Sequence, residues 1–140
     1  EDGSELPIGK AVTLREGTDI AIFAAGIMVH EAMQAAKTLE AQGVSAAVID
    51  MFTIKPLDAE AVEAWAKKCG AVLAAENHNK YGGLWSAVSE VLAQKCPVPA
   101  GYVAVEDEFG EVGPQGYLQE RFGLTAAHIV EQAKAVLARK

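Results

Sequence analysis

Aromatic residues supply only 6% of this 140-residue chain, cysteine occurs twice, and twelve lysines and arginines face nineteen acidic residues. Each scarcity removes a class of protein. Cys69 and Cys96 are too few and too isolated for a disulfide framework or a zinc site, and read as buried free thiols of a cytoplasmic protein. A net charge of −7 and a pI near 4.9 leave no basic stripe to offset phosphates, which argues against a nucleic-acid partner. No apolar run approaches the ~20 residues of a membrane span, and no signal peptide is visible. The 51% hydrophobic content is largely alanine and valine, which suits helices packed on a buried sheet better than an all-β sandwich. The length fits one ordinary domain with its own core. Because the chain opens at Glu1-Asp2-Gly3-Ser4 without methionine, it is expected to be a piece cut from something longer.

Residues 1–10 are polar, with Pro7 and Gly9, and read as a linker to a single domain over residues 11–140. Ala11–Arg15 is a short strand candidate closed by Glu16-Gly17, and Ile20–Ala25 is a nearly continuous apolar run suited to a central buried strand. So short a connection between them forbids a parallel crossover and demands either antiparallel pairing or a sharp redirection. A helix follows Gly26, with Met28, Val29, Ala32, Met33, Ala36 and Leu39 on one stripe and Gly43 at its end. Val44–Ile49 then reads as a strand and residues 51–57 as a loop. Asp58 caps a helix carrying Ala61, Val62 and Trp65. Ala71–Ala75 is the next strand, and Leu84, Ala87, Val88, Val91 and Leu92 mark the helix after it. Pro97 and Pro99 force an extended entry into Tyr102–Val105. An acidic, glycine-rich loop runs from Glu106 to Gly116, and Thr125 caps a last helix with Ile129, Val130, Ala133, Val136 and Leu137 inward. Strands alternating with helices at this spacing predict a three-layer α/β/α fold around a mostly parallel sheet.

The segment from Ala75 to Leu92, AENHNKYGGLWSAVSEVL, is the most informative. It reads as strand, polar loop beginning at Glu76, glycine turn, helix. In open α/β sheets that junction, at the carboxyl end of a strand, is where ligands and partner surfaces meet the fold. His78 beside Glu76, Asn77 and Asn79 could serve as a general base or phosphate anchor, or merely orient its loop through backbone hydrogen bonds. Gly82-Gly83 could offer backbone N–H groups to an anion, although close packing of loop on strand is the favoured use. His30 and His128, beside helical apolar stripes, read as ordinary helix residues. Glu106-Asp107-Glu108 lacks the alternating spacing of a calcium loop and reads as a solvated acidic turn. No GxSxG, nucleotide-binding glycine motif or convincing acid–base carboxylate pair occurs, so neither catalytic residues nor metal ligands are assigned.

The order of motifs resembles the C-terminal domain of transketolases. The resemblance rests on Gly9-Lys10-Ala11, Arg15-Glu16-Gly17-Thr18-Asp19-Ile20 and Ala25-Gly26-Ile27-Met28-Val29. It continues through Phe52-Thr53-Ile54-Lys55-Pro56-Leu57-Asp58, Glu76-Asn77-His78-Asn79, Gly82-Gly83-Leu84, Phe109-Gly110-Glu111 and Gly123-Leu124-Thr125 with Ile129. It is strongest for the C-terminal subunit or section of a split, bacterial-type transketolase. The same domain occurs in deoxyxylulose-phosphate synthase and in the beta subunits of 2-oxo-acid dehydrogenases. Trp85 departs from the family pattern, which usually has a small residue there.

The resemblance implies a five-stranded mixed sheet with its first strand antiparallel. In the full enzyme it implies thiamine diphosphate and Mg2+ held between pyrophosphate-binding and pyrimidine-binding domains, neither of them in this chain. This domain is then expected to be a noncatalytic support of a homo-oligomer, most simply a dimer. The full enzyme would transfer two-carbon ketol units between sugar phosphates in the pentose phosphate pathway. The alternatives are a stand-alone regulatory module that binds an anion or nucleotide, and the equivalent domain of a dehydrogenase beta subunit or deoxyxylulose-phosphate synthase. Glu76, His78, Asn79, Gly82, Gly83 and Phe109 form the candidate anion-binding or interdomain surface.

Overall fold

The computed structural model describes residues 6–140. Residues 1–5 of the expected linker lie outside the described residues. In chain order the elements are β1 (Val12–Arg15), β2 (Ile20–Ala24), α1 (Met28–Ala41), β3 (Ala46–Asp50), α2 (Ala59–Cys69), β4 (Val72–Asn79), α3 (Leu84–Lys95), β5 (Ala100–Val105), α4 (Gln115–Arg121) and α5 (Ala126–Leu137). The five strands form one sheet in the order β1-β3-β2-β4-β5, with β1 antiparallel to β3 and all other pairs parallel.

Side chains alternate across the sheet as a strand's twofold period requires. Ile20, Ile22, Ala24, Val48 and Leu73 face one side and are buried with α1 and α5. Ala21, Phe23, Ile49, Val72 and Ala74 face the other and are buried with α2 and α3. Both faces are thus covered, and β2 has no exposed residue. Such strands read as unbroken apolar runs, which is how β2 looks in the sequence. Asp58 caps α2 through Ala61 N (3.1 Å) and also accepts from Ala11 N (2.9 Å), so one carboxylate starts a helix and fixes the approach to β1. Thr125 caps α5 by accepting from His128 N at 3.3 Å.

One alternative is resolved and two expectations need correction. The run opening with β1 and β2 is not a hairpin: β1 pairs only with β3, and β2 lies on the far side of β3. Redirection therefore prevails. The connecting turn passes beneath the start of β3, where Thr18 N and Asp19 N donate to the Ser45 carbonyl at 3.1 and 2.8 Å. β4 continues past Ala75 to Asn79, so Glu76 and His78 lie in a strand rather than a polar loop. A helix, α4, begins within the last residues of the acidic loop. Its seven residues include no buried one, so it carries no apolar stripe by which to be read.

Both sheet edges are closed. β1 is short, its register with β3 shifts between Thr13 and Arg15, and Arg15 forms an ion pair with Glu40 at 2.8 Å. On β5, an Arg139 guanidinium nitrogen donates to the Ala100 carbonyl at 2.6 Å. Among the described residues no helix is long and apolar enough to cross a membrane.

Gly17 is buried at the crossing beneath β3, and a Cβ there would lie 2.2 Å from Ala47 N. Gly17→Ala is expected to destabilise the domain by about 2 kcal/mol, the scale of overpacking against atoms that cannot move aside. Urea unfolding monitored by tryptophan fluorescence measures it.

Candidate functional site

The segments leaving β2, β3, β4 and β5 gather at the carboxyl edge of the sheet. There α1 leaves β2 toward one face and α3 leaves β4 toward the other, which makes the β2/β4 boundary the switch point where open α/β sheets accept ligands. Gly26 and Asn77 meet at that boundary: a Cβ on Gly26 would stand 3.4 Å from Asn77 Oδ1.

Glu76 is the buried polar residue of this edge, only 3% exposed. Its Oε2 accepts from Leu84 N at 2.8 Å and its Oε1 from Trp85 N at 2.9 Å. The carboxylate thus occupies the first-turn amides of α3, where the free N–H groups and the helix dipole favour negative charge. Gly83 makes room for it, since a Cβ there would lie 2.2 Å from Glu76 Oε2. Gly82 takes φ +78°, the left-handed turn that admits the helix, and its N–H donates to Ser86 Oγ at 2.8 Å. Glu76, Gly82 and Gly83 are therefore brought together, but the anion at the α3 amides is the chain's own.

His78 and Asn79 lie on the rim. His78 is exposed, and its Nδ1 lies 3.2 Å from the Asn79 carbonyl oxygen. Asn79 accepts from Tyr81 N at 2.9 Å and donates through Nδ2 to Asp107 Oδ1 at 2.7 Å, tying the exits of β4 and β5. Lys80 adds an ion pair with Glu106 at 2.7 Å, and that bond holds the Glu106 carboxyl below its usual range. Phe109 sits in the next loop and is 98% exposed. That loop is stapled by Arg121, whose Nε and terminal nitrogen donate to Glu111 and Glu108, each at 2.8 Å, and by the Tyr117 hydroxyl donating to Glu111 at 3.0 Å.

Sequence reasoning missed a second internal carboxylate. Glu31 Oε2 accepts from Ala126 N at 2.8 Å at the start of α5, across 95 positions of sequence, a separation at which no local signal exists. It also missed a cavity of about 360 Å³ between α4 and the exits of β2, β4 and β5, lined by Ile27, Asn77, Val105, Leu118, Phe122 and Leu124. That cavity exists because α4 closes it, so overlooking α4 concealed both. Trp85, the departure from the family pattern, packs its ring against Tyr102 with centroids 5.2 Å apart and joins the α2/α3 layer, half-buried. His30 is exposed, while His128 is half-buried and lies 3.3 Å from Glu131.

Chemically, this edge is equipped to recognise rather than to react. Both Glu76 oxygens are committed to amides, and no carboxylate among the described residues hydrogen-bonds His78 to orient it as a base. No group of three or more His, Cys, Asp or Glu side chains among the described residues is placed to hold a metal. Burial pushes the Cys69 thiol up, away from a nucleophilic thiolate. Burial also raises the Asp50 carboxyl at the exit of β3, whose Oδ1 has no hydrogen-bond partner.

Fold and edge together define a doubly wound α/β domain with an antiparallel strand at its margin. The chain belongs to the transketolase C-terminal domain family, whose model matches residues 9–129. It is 52% identical over 99% of its length to a 6-deoxy-6-sulfo-D-fructose transketolase subunit of Clostridium sp. strain MSTE9, covering 43% of that protein. It is 41% identical over 97% of its length to 1-deoxy-D-xylulose-5-phosphate synthase 1 of Geobacter sulfurreducens, covering 22% of it. It is also 38% identical over 94% of its length to an apulose-4-phosphate transketolase subunit of Phocaeicola vulgatus, covering 42% of it. A solved structure described as a split-gene transketolase, an inactive beta4 tetramer, superposes on the whole chain with a TM-score of 0.95 at 44% identity, this chain covering 46% of it. The chain spans less than half the length of each of these proteins.

Removing the internal anion should expose its role. Glu76→Ala orphans two amides and is expected to cost about 2–3 kcal/mol, with Glu76→Gln intermediate. Gly83→Ala should be penalised chiefly through the same carboxylate, so Glu76→Ala combined with Gly83→Ala should cost less than the sum of the two. Urea titration of the four proteins completes the cycle. At Asp50 the sign is opposite to that of a paired carboxylate. A folded-state pKa raised above the usual 3.8 means that stability is lost as pH rises through the window above that value. Asp50→Asn removes this loss, so its melting temperature relative to the wild type should climb between about pH 4 and pH 6.

Proposed function

We propose that this chain is the C-terminal, noncatalytic section of a split transketolase-type subunit, and that it supports an assembly whose chemistry lies in other domains. The observation that carries this reading is the near-complete match to transketolase subunits, one of them at 52% identity over 99% of the chain. The full enzyme, in this proposal, moves a two-carbon ketol unit between acidic sugars. The relatives are named for 6-deoxy-6-sulfo-D-fructose and apulose-4-phosphate, so the pentose phosphate pathway is not assigned as its setting. Its partners are the pyrimidine-binding and pyrophosphate-binding domains, in a homo-oligomer or a complex of split subunits.

Thiamine diphosphate with Mg2+ does not fit the described residues. A diphosphate needs free amides or cations, yet the first-turn amides of α3 and α5 already serve Glu76 and Glu31. A Mg2+ ion needs converging oxygen ligands, and no such cluster of acidic side chains is present among these residues. The cofactor is therefore assigned to the other domains. The filled amides also weigh against the stand-alone module that would take an anion or nucleotide at Gly82-Gly83.

The chain alone is expected to unfold in one cooperative thermal transition and to bind no thiamine diphosphate in calorimetric titration with Mg2+. A coupled ketol-transfer assay on it should read background. Saturable binding at micromolar strength, or turnover by the chain alone, overturns the proposal.

A further inference from the structure

Exposed apolar side chains are ordinary when scattered and informative when gathered. Here they are gathered. Ile8 (78% exposed) precedes β1, Ile27 (38%) follows β2, Ile54 (39%) follows β3, Tyr81 (66%) follows β4, and Phe109 (98%) and Val112 (103%) follow β5. All stand in segments at the carboxyl edge of the sheet, whereas Leu14 (43%) on β1 is an exposed apolar residue away from it.

We infer that this edge is the docking face for the domain that precedes Leu6 in the longer subunit, an inference that rests on the functional reading above. Three observations favour that occupant. First, the polypeptide enters over this edge: Gly9 N donates to Thr53 Oγ1 at 3.0 Å beyond β3, and Val12 pairs with Asp50, the last residue of β3. A domain tethered immediately ahead of Leu6 meets this face at the high effective concentration of a short linker. The transketolase subunits it matches are more than twice this chain's length, which leaves ample polypeptide for such a domain.

Second, the face is preorganised. Arg121 and Tyr117 hold Glu108 and Glu111, so Phe109 and Val112 are presented on a stapled loop, and little conformational entropy remains to be lost on docking. Third, the face has a socket. The cavity of about 360 Å³ beside α4, with Ile27, Leu118, Phe122 and Leu124 in its wall, has room for an apolar side chain of the partner. The rim supplies four carboxylates, Glu106, Asp107, Glu108 and Glu111, against two cations, Lys80 and Arg121. The complementary surface is therefore apolar at its centre and basic at its margin.

Amide hydrogen exchange compared between the full-length subunit and the 140-residue chain tests this. Residues 106–114 and 78–83 should exchange at least about tenfold more slowly in the full-length subunit, at a rate independent of protein concentration. Phe109→Ser combined with Val112→Ser should abolish the difference, while Leu14→Ser should leave it intact. Thermal melts of the same variants in the 140-residue chain, expected to match the wild type, control for folding. Equal exchange in both proteins overturns the inference. Protection that grows with concentration, or that appears in the shorter chain alone, identifies a second copy as the occupant and overturns it too. Ketol-transfer activity of the assembled enzyme is scored separately. Activity without edge protection defeats only this inference, and protection without activity defeats only the functional reading.

Discussion

One carboxylate organises the carboxyl edge. Glu76 ends the buried part of β4 and reaches across Gly83 to the first amides of α3, so strand, turn and helix are locked by a single group. Without it, α3 would begin with orphaned donors inside the protein, where water cannot repair them. The same device recurs where Glu31 meets α5, where Asp58 meets α2 and where Asp19 accepts from Ser45 N at 2.7 Å. Part of the acidity that gives the chain its net charge of −7 is thus structural, engaged by backbone donors inside the fold.

This arrangement bears on function. Helix N-termini at a switch point are the usual anion receptors of open α/β sheets, and an enzyme handling phosphorylated substrates would be expected to use them. Here evolution has filled the amides of α3 and α5 from within. What remains at the edge is shape, apolar side chains and a laced rim of ion pairs. Those features suit a neighbouring protein surface better than a small charged ligand. The family membership and the geometry therefore point the same way, although they are independent observations.

The layered architecture was legible because short-range chemistry dictated it. β2 is an apolar run, α1 and α5 carry clear stripes, and Asp58 and Thr125 announce their helices through caps only three positions long. The rest depended on contacts that no local window contains. Glu76 looks like the charge that ends a strand until its partners eight and nine residues on are known. β1 looks like half of a hairpin until β3 arrives to claim it. α4 has neither a buried face nor a side-chain cap, so nothing in its composition distinguishes it from the loop before it. Of the surface residues, Gly82 and Gly83 were readable as a turn, but the reason for Gly83 was the distant carboxylate it accommodates.

The closed margins of the sheet have a consequence for behaviour in a crowded solution. A parallel sheet with bare outer strands offers a template for another molecule's backbone, and growth from it ends in aggregates. In this domain one margin is a short, reversed strand whose register is broken between Thr13 and Arg15, and on the other Arg139 occupies the Ala100 carbonyl. Neither presents a long, regular row of open hydrogen-bonding groups. A subunit waiting for its partners can therefore persist at high concentration with its sheet sealed, and the contacts it remains free to make are those of its side chains.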